Sequence, residues 1–328
     1  MNGFVRAQGR GFAVDGRPFR VAGANNYYLS YGSDEMVAAV FDAAARMGLN
    51  TLRTWAFLER GPKYNDTYFQ YLDPATKQPA YNDGENGLQL LDRTIAVAEQ
   101  RGIRLILPLV NYWDDFGGIS QYLSWFGLKE KAEFYTHPGL RAAYRNYVEH
   151  VLLRVNPRTG RQYRDEPAIL AWELCNEPRD IELAWVAEMT GFLRSLDSNH
   201  LIGVGDEGLA DSERLLAIST VDFGTCHLYP GYSPKEDAVG FGKRWIRERI
   251  EAGQRANKPM VVEEFGVKAE AGRAARDAAY AAWLGQVEAS GGAGALIWML
   301  AAAPYPDYDH YTVYAPEDAP ALCRFAAS

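Results

Sequence analysis

The feature that most constrains this chain is a repeating order of apolar strand, polar loop and amphipathic helix. Runs bounded by turn residues read as strands at Phe19–Asn25, Asn50–Trp55, Ile103–Val110, Ala168–Cys175, Leu201–Gly205, Asp222–His227, Pro259–Glu264 and Gly294–Met299. The run Ile103–Val110 is apolar almost throughout, as a strand buried on both faces requires. Ser33 can cap a helix that opens with Asp34 and Glu35, carries an apolar face at Met36, Val37, Val40, Phe41 and Ala44, and stops at Gly48. Further helices are expected at Gly87–Arg101, His137–Val155, Ile181–Leu196, Ser212–Ser219, Phe241–Ala256 and Arg273–Ala289, before a helical or irregular tail. Eight strands alternating with seven helices imply an α/β chain with a parallel sheet. Eight such units imply closure into a single (β/α)8 TIM barrel, one domain over residues 1–328. A doubly wound open sheet is the alternative. Residues 3–19 alternate around Asp15-Gly16 and read as a short N-terminal β-hairpin.

Composition narrows the functions available. A chain of 328 residues can bury a large core without disulfide or metal. With 34 basic against 42 acidic residues the net charge is −8, which argues against a nucleic acid or an anionic membrane as partner. No apolar run approaches the roughly 20 residues needed to cross a bilayer. The segment MNGFVRAQGRGFAVDG has no apolar signal core, so a cytoplasmic chain, a mature one and one cut after a signal all stay open. The three cysteines, Cys175, Cys226 and Cys323, match no zinc or redox spacing, and their redox state is open.

In closed barrels of this kind chemistry sits where strands end and the loops to the next helix begin. Those ends carry Asn25-Asn26-Tyr27-Tyr28, Arg53-Thr54-Trp55, Asn111-Tyr112-Trp113-Asp114-Asp115, Asn176-Glu177, Asp206-Glu207, His227-Leu228-Tyr229, Glu263-Glu264 and Trp298. The opposite turns (RMGLN, QRGIR, RANKP) are bland. Two carboxylates stand out, Glu177 after AWELCN and Glu264 at the end of PMVVEE. One acidic residue alone is ordinarily a solvated loop charge. Two that each follow a buried apolar strand, with Asn176 and Arg53 available to hydrogen-bond them, can flank one sugar linkage. A protonated carboxyl would then protonate the leaving oxygen, while the other attacks the anomeric carbon or activates water. By strand alternation Glu263 is expected to face away from Glu264, and Glu173 lies inside its strand. His227 and Tyr229 stand at alternate positions and could bond a hydroxyl or a carboxylate. A Trp at position 298 could floor a sugar subsite, because the C–H face of a pyranose packs on an aromatic ring. Trp55, Trp113, Trp125, Tyr27, Tyr28, Tyr305 and Tyr308 suggest further aromatic platforms.

Other chemistries fit poorly. Five histidines without H-x-H or H-E-x-x-H argue against a His-rich metal centre. Gly203-Val204-Gly205-Asp206-Glu207-Gly208 matches G-x-G-x-x-G, but Asp206 and Glu207 would repel a pyrophosphate. Asp114, Asp115, Asp307 and Asp309 could hold calcium, although solvated loops account for them as well.

The segments WELCNEP, HLYP, VVEEFG and the Trp of LIWML resemble glycoside hydrolase family 5 of clan A. GANNYYL, NTLRTWAF, VNYWDDFGG and YRDEPAILAWELCNEPR resemble its endo-β-1,4-mannanase subgroup, so the likeness runs in order from Phe19 to about Trp298. Many family members carry a His in the loop after the third strand. Here Asn111-Tyr112-Trp113 stands there, as in mannanase-type members. The resemblance implies a retaining double displacement with Glu177 as acid/base and Glu264 as nucleophile. Arg53, Asn176, His227, Tyr229 and Trp298 would line the subsite at the scissile bond, and Trp55, Asn111, Trp113 and Glu207 would contact sugar. It also implies a cis Trp298–Met299 peptide. Glu177 should then titrate above the usual carboxylate value of about 4.3, beside an ionised Glu264. The expected activity is hydrolysis of internal β-1,4-mannosidic bonds of mannan, glucomannan or galactomannan, with no cofactor and no metal. The alternatives are an exo-acting β-mannosidase or mannobiohydrolase, and another β-1,4-glycanase such as a cellulase. The exo case needs a loop across one end of the groove, and residues 61–86 are long enough to supply it. A β-mannan or manno-oligosaccharide is the expected partner, with neither nucleic acid nor membrane, and the chain is expected to act as a monomer. Secretion is implied by the resemblance, with a cytoplasmic location open.

Overall fold

The computed structural model describes residues 1, 3–209, 212–232, 237–314 and 316–328. The chain opens with three antiparallel strands, β1 (Arg6–Gln8), β2 (Gly11–Val14) and β3 (Arg17–Phe19). The sequence suggested one hairpin here. Asp15 (φ 50°) and Gly16 (φ 75°) do turn between β2 and β3, and Gly9 (φ 59°) allows a second turn between β1 and β2.

The alternating part follows in the expected order. Its elements are β4 (Val21–Asn25), α1 (Asp34–Arg46), β5 (Thr51–Arg53), β6 (Gln70–Leu72), β7 (Pro79–Tyr81), α2 (Leu88–Arg101), β8 (Arg104–Pro108), α3 (Gly118–Trp125), α4 (Glu133–Thr136) and α5 (Pro138–Leu153). Then come β9 (Ile169–Glu173), α6 (Leu183–Leu196), β10 (Leu201–Gly203), α7 (Ser212–Leu216), β11 (Gly224–Leu228), α8 (Ala238–Ala256), β12 (Met260–Phe265), α9 (Arg273–Ala289), β13 (Gly294–Ile297) and α10 (Pro320–Ala327). Eight strands form one parallel sheet in the order β10-β9-β8-β5-β4-β13-β12-β11. The seam between β10 and β11 is bridged by Asp222 N–H to Ile202 O (2.8 Å), the Thr225 hydroxyl to Asp206 O (2.7 Å) and His227 N–H to Glu207 O (3.0 Å). The sheet is thus a nearly closed (β/α)8 barrel, and the tail resolves into α10.

Local chemistry explains the helices. The Ser33 hydroxyl accepts from Met36 N–H at the start of α1, whose buried face is Val37, Val40, Phe41, Ala43 and Ala44. Gly102 ends α2 in the left-handed region (φ 69°). The additions lie in the loops. Residues 61–86 contain the β6–β7 pair, and α3 and α4 precede the long helix expected near 137–155. Several observed strands stop short of the expected ends, Asn50–Trp55 contracting to Thr51–Arg53 and Ala168–Cys175 to Ile169–Glu173, while β11 and β12 run one residue past theirs. The residues beyond leave the ladder and form the mouth.

Inside the barrel the lower layer is apolar. Val21, Ile106, Leu170, Ala171, Leu201, Phe223, Val261, Ala293 and Leu296 pack together, closed from below by Val5 and Phe12. A second, larger cluster lies between the sheet and the helices. Among the described residues no helix is long and apolar enough to cross a membrane.

Candidate active site

A cleft of about 730 Å³ opens at the C-terminal ends of the strands. Glu177 and Glu264 stand on its floor with Asn111, Asn176 and Tyr229. Trp55, Trp113 and Trp298 line it with Tyr27, Tyr31, Tyr64, Phe116, Tyr305 and Tyr308, and Asp115 and Asp309 join the rim. Eight of the sequence-expected site residues therefore share one cavity. Arg53 and His227 are fully buried directly behind the carboxylates. Glu207 lies off the wall, buried and paired with Arg179 (Nε to Oε2, 3.0 Å), whose guanidinium covers the Trp113 ring at 4.7 Å. Of the suggested aromatic platforms, Tyr28 is core and stacks on Tyr305 at 4.0 Å, and Trp125 packs on Tyr122.

Glu177 is not in its strand. It sits four residues beyond β9 with φ 51°, held by its N–H to Gly205 O (2.9 Å). Such a left-handed backbone is uncommon outside glycine and clusters at functional sites. Gly205 (φ 81°) makes the approach possible, since a Cβ there would overlap Cys175 O. The glycine-rich segment 203–208 is thus used for close packing of two loops. Trp113 Nε1–H donates to Glu177 Oε2 (2.5 Å), and His227 Nδ1 bonds Glu177 Oε1 (2.6 Å).

Glu264 is fixed from two sides. Arg53 Nη1 donates to its Oε1 (2.9 Å) and the Tyr229 hydroxyl to its Oε2 (2.6 Å). Arg53 also donates to Asn176 Oδ1 (2.9 Å), Asn25 Oδ1 (3.2 Å) and Glu173 Oε2 (2.9 Å), so one guanidinium ties Glu264 on β12 to the loop that carries Glu177. Asn176 in turn donates to Asn111 Oδ1 (3.0 Å), and Trp298 Nε1–H to Asp309 Oδ2 (2.7 Å). The Trp298–Met299 peptide is cis, as the resemblance implied.

Alternation fails at Glu263. Cys226 pairs with Val262 and His227 with Glu264, so Glu263 is the extra residue of a β-bulge. It does not face away from Glu264: both reach Arg53, with Glu263 Oε2 3.4 Å from Nε. The sequence reading missed this, since a bulge leaves no mark in a run such as VVEEF.

One oxygen of Glu177, one of Glu264 and one nitrogen of His227 lie within 4.8 Å of one another. These are ligand-type atoms, but each is already committed to a protein hydrogen bond, and the set suits shared protons better than a cation. The protonation order differs from the expected one. Burial alone would raise Glu177, yet the His227 and Trp113 hydrogen bonds outweigh it and hold Glu177 below the usual value. Burial, with Glu177 as a like-charged neighbour, pushes Glu264 up to about 7. Burial would lower His227, but Glu264, Glu177 and Glu263 raise it well above the ordinary imidazole value. Groups this close titrate as a unit, and the proton last lost near 7 belongs to the carboxyl pair.

Several contributors escaped the sequence reading. Tyr31, Tyr64 and Phe116 come from loops whose direction no periodicity reports. Arg179, two residues beyond Glu177, was within reach of inspection. Glu59 is buried and its carboxyl is pushed up to about 8 by burial. It accepts from Gly118 N–H (2.8 Å) and Gln70 Nε2 (2.9 Å), which anchors the loop carrying Phe116. The four aspartates considered for calcium are loop residues, and three of them are matched by protein donors: Asp114 by Ser120 and Lys131, Asp307 by Thr312, and Asp309 by Trp298 and Tyr311.

Comparison with known proteins places this geometry. Residues 2–290 match the model of glycoside hydrolase family 5 β-mannosidase-like proteins. Mannan endo-1,4-beta-mannosidase F of Aspergillus fumigatus is 35% identical over 95% of this chain and 74% of its own length. The Aspergillus clavatus protein of the same name is 38% identical over 81% of this chain, which spans 64% of it. The crystal structure of an endo-1,4-beta-mannanase from Rhizomucor miehei superimposes with a TM-score of 0.91 at 33% identity, covering 99% of this chain and 98% of that one.

Proposed function

The chain belongs to glycoside hydrolase family 5, among its β-mannosidase-like members, and on that premise we propose that it hydrolyses internal β-1,4-mannosidic bonds of mannans by a retaining double displacement. The observation that carries this reading is the short separation of the two carboxylates in an aromatic cleft. Oxygens of Glu177 and Glu264 within 4.8 Å of each other suit the carboxyl spacing of about 5–5.5 Å used for retention, whereas inversion needs about 6.5–9.5 Å to admit a water.

In the first step Glu264 attacks the anomeric carbon while Glu177 gives its proton to the departing glycosidic oxygen. A glycosyl ester on Glu264 results. In the second step Glu177 takes a proton from water, which displaces Glu264 with net retention. Arg53 and Tyr229 keep Glu264 aimed and favour its ionised form. The proton needed on Glu177 is supplied from the shared set, either along the 2.6 Å bond to His227 or from Glu264 itself. Trp298, Trp55 and Trp113 offer faces for the C–H surfaces of pyranose rings.

Endo action is supported by the position of residues 61–86. This segment folds into the β6–β7 pair, and of its residues only Tyr64 reaches the cleft wall. Its share of the wall is thus a single aromatic ring, a platform for a polymer rather than a block across the groove. The enzyme is read as a monomer, and a polymeric mannan would be met outside the cell. Turnover on mannan, glucomannan and cellulose, with products sized from mannohexaose, tests the reading. Mixed internal products from the mannans are expected. Mannose or mannobiose alone from the first time point would make the enzyme exo-acting, and preference for cellulose would remove the mannan assignment.

A further inference from the structure

Below the catalytic carboxylates lies a second pair that the two-step mechanism does not use. Glu173 and Glu263 are both fully buried. Arg53 Nε–H donates to Glu173 Oε2 (2.9 Å), and Glu263 Oε2 lies 3.4 Å from the same nitrogen. Their remaining oxygens, Glu173 Oε1 and Glu263 Oε1, meet no N–H or O–H group among the described residues. The two carboxyls thus crowd one guanidinium nitrogen in a fully buried site, where ionising both would set two negative charges against each other, so one of them keeps a proton. Glu263 Oε2 also faces His227 Nε2 at 3.4 Å, and the other ring nitrogen is bonded to Glu177. The groups next to this pair are Arg53 on β5, Cys226 and His227 on β11, and Cys175 in the loop after β9, and beyond Arg53 and His227 stand Glu264 on β12 and Glu177.

Charge balance follows from that census. Four carboxyls face two cations, Arg53 and a protonated His227, in a region almost without water contact. Ionising all four would leave two uncompensated negative charges, a costly burial. One proton in the lower pair and one in the upper pair make the cluster neutral, and that is the state the reaction needs.

We propose that Glu173 and Glu263 are a positioning pair that shares one proton, presents a single negative charge to Arg53 and His227 Nε2, and thereby holds the acid proton of the reaction on the Glu177–Glu264 pair. The inference rests on the reading of Glu177 and Glu264 as acid/base and nucleophile. A neutral lower pair would leave the fields of Arg53 and His227 wholly on the upper carboxylates, which would release their proton too early. A doubly ionised lower pair would add a second negative charge beneath the upper carboxyls and keep Glu264 protonated when it should be ionised. Glu173 is held well above the usual carboxylate value, chiefly by burial and then by Glu263, and Glu263 is held down to about 2, since Arg53, Glu173 and His227 outweigh its burial.

Isosteric amides test the charge count. In Glu173→Gln the amide N–H replaces the shared proton and Glu263 stays ionised. In Glu263→Gln the roles exchange and Glu173 ionises. Each single variant keeps one negative charge, so kcat/KM should fall only about 2- to 3-fold with the pH profile nearly in place. The double variant loses the charge. Its basic limb should move down by about one pH unit or more, and kcat/KM at neutral pH should fall at least about 100-fold, well beyond the product of the single losses. Wild-type-minus-Glu173→Gln infrared difference spectra at pH 8 should show a protonated-carboxyl C=O band, with the contribution of Glu59 cancelling. Additive losses with an unmoved limb, or a difference spectrum without that band, would overturn the proposal. If the double variant does not fold, the single-variant spectrum decides. If the wild type turns over no mannan, the functional reading fails while the spectrum still judges the pair.

Discussion

The same strands build both ends of the barrel, and the ends could hardly differ more. β9 carries Leu170 and Ala171 below and Glu173 above; β12 carries Val261 below and Glu263 and Glu264 above; β13 carries Leu296 below and leads to Trp298 above. The lower layer buries apolar surface whose contribution is non-directional and tolerant of shape. The upper layer buries four carboxyls, an Arg and a His whose desolvation is offset only while every partner is in place. Stability is concentrated below and chemistry above, a division the barrel permits because its strands are continuous and its loops are free to vary.

The largest expected effect comes from the upper end. Glu264→Gln keeps the shape and the acceptor for Arg53 but removes the proposed nucleophile. The rate on mannohexaose should fall by about 10⁴-fold or more, with the fold retained. Its stability should move the other way. Glu264 titrates near 7 when folded against an unperturbed 4.5, so the folded state binds more protons in that window and wild-type stability falls as pH rises through it. The Gln variant lacks this penalty, and its advantage over the wild type should grow between pH 4.5 and pH 8 by up to about 3 kcal/mol. Urea unfolding at the two pH values checks this. Activity near wild type would place the nucleophile elsewhere and dissolve the contrast between the ends.

The lower end supplies the reciprocal case. Phe12 is buried and meets Phe223 edge to face at 5.9 Å, closing the floor of the barrel. Phe12→Ala should cost about 3–5 kcal/mol through lost burial and the cavity left behind. The kcat of the folded fraction should stay unchanged. A fall in kcat at full folding would show that the two layers are coupled and that the division is too sharp.

This division also sets what could be read from the chain. Apolar strands and amphipathic helices announce themselves by periodicity, so the barrel and its element order were legible. So were residues placed at strand ends: Glu177, Glu264, Arg53, Asn176, His227, Tyr229 and Trp298 converge as expected. What failed depended on local departures from regularity. The bulge at Glu263 reversed a side chain that alternation had sent outward, and the left-handed turn at Glu177 carried it past its strand. The protonation order was hidden for a different reason. It is set by distances among His227, Glu177 and Glu264, which residue types alone do not supply. Glu207, a sugar contact by the resemblance, is not among the residues lining the cleft and pairs with Arg179.

The smallest effect offers the finest test of how the upper end works. The Tyr229 hydroxyl donates to Glu264 Oε2 at 2.6 Å and so favours the ionised nucleophile. In Tyr229→Phe that donor is gone while the ring and its edge contact with Tyr311 at 5.3 Å remain. Glu264 then competes better for the proton it shares with Glu177. Less of the enzyme has the proton on the acid and the charge on the nucleophile, so kcat should fall by about 10- to 100-fold. The proton is also held more tightly by the pair, so the basic limb of kcat/KM, expected near 7 in the wild type, should move to higher pH. The two shifts have one cause and must appear together. A lower kcat with the limb fixed would make Tyr229 a packing residue of the cleft wall. The proton balance of the mouth would then rest on Arg53 and His227 alone.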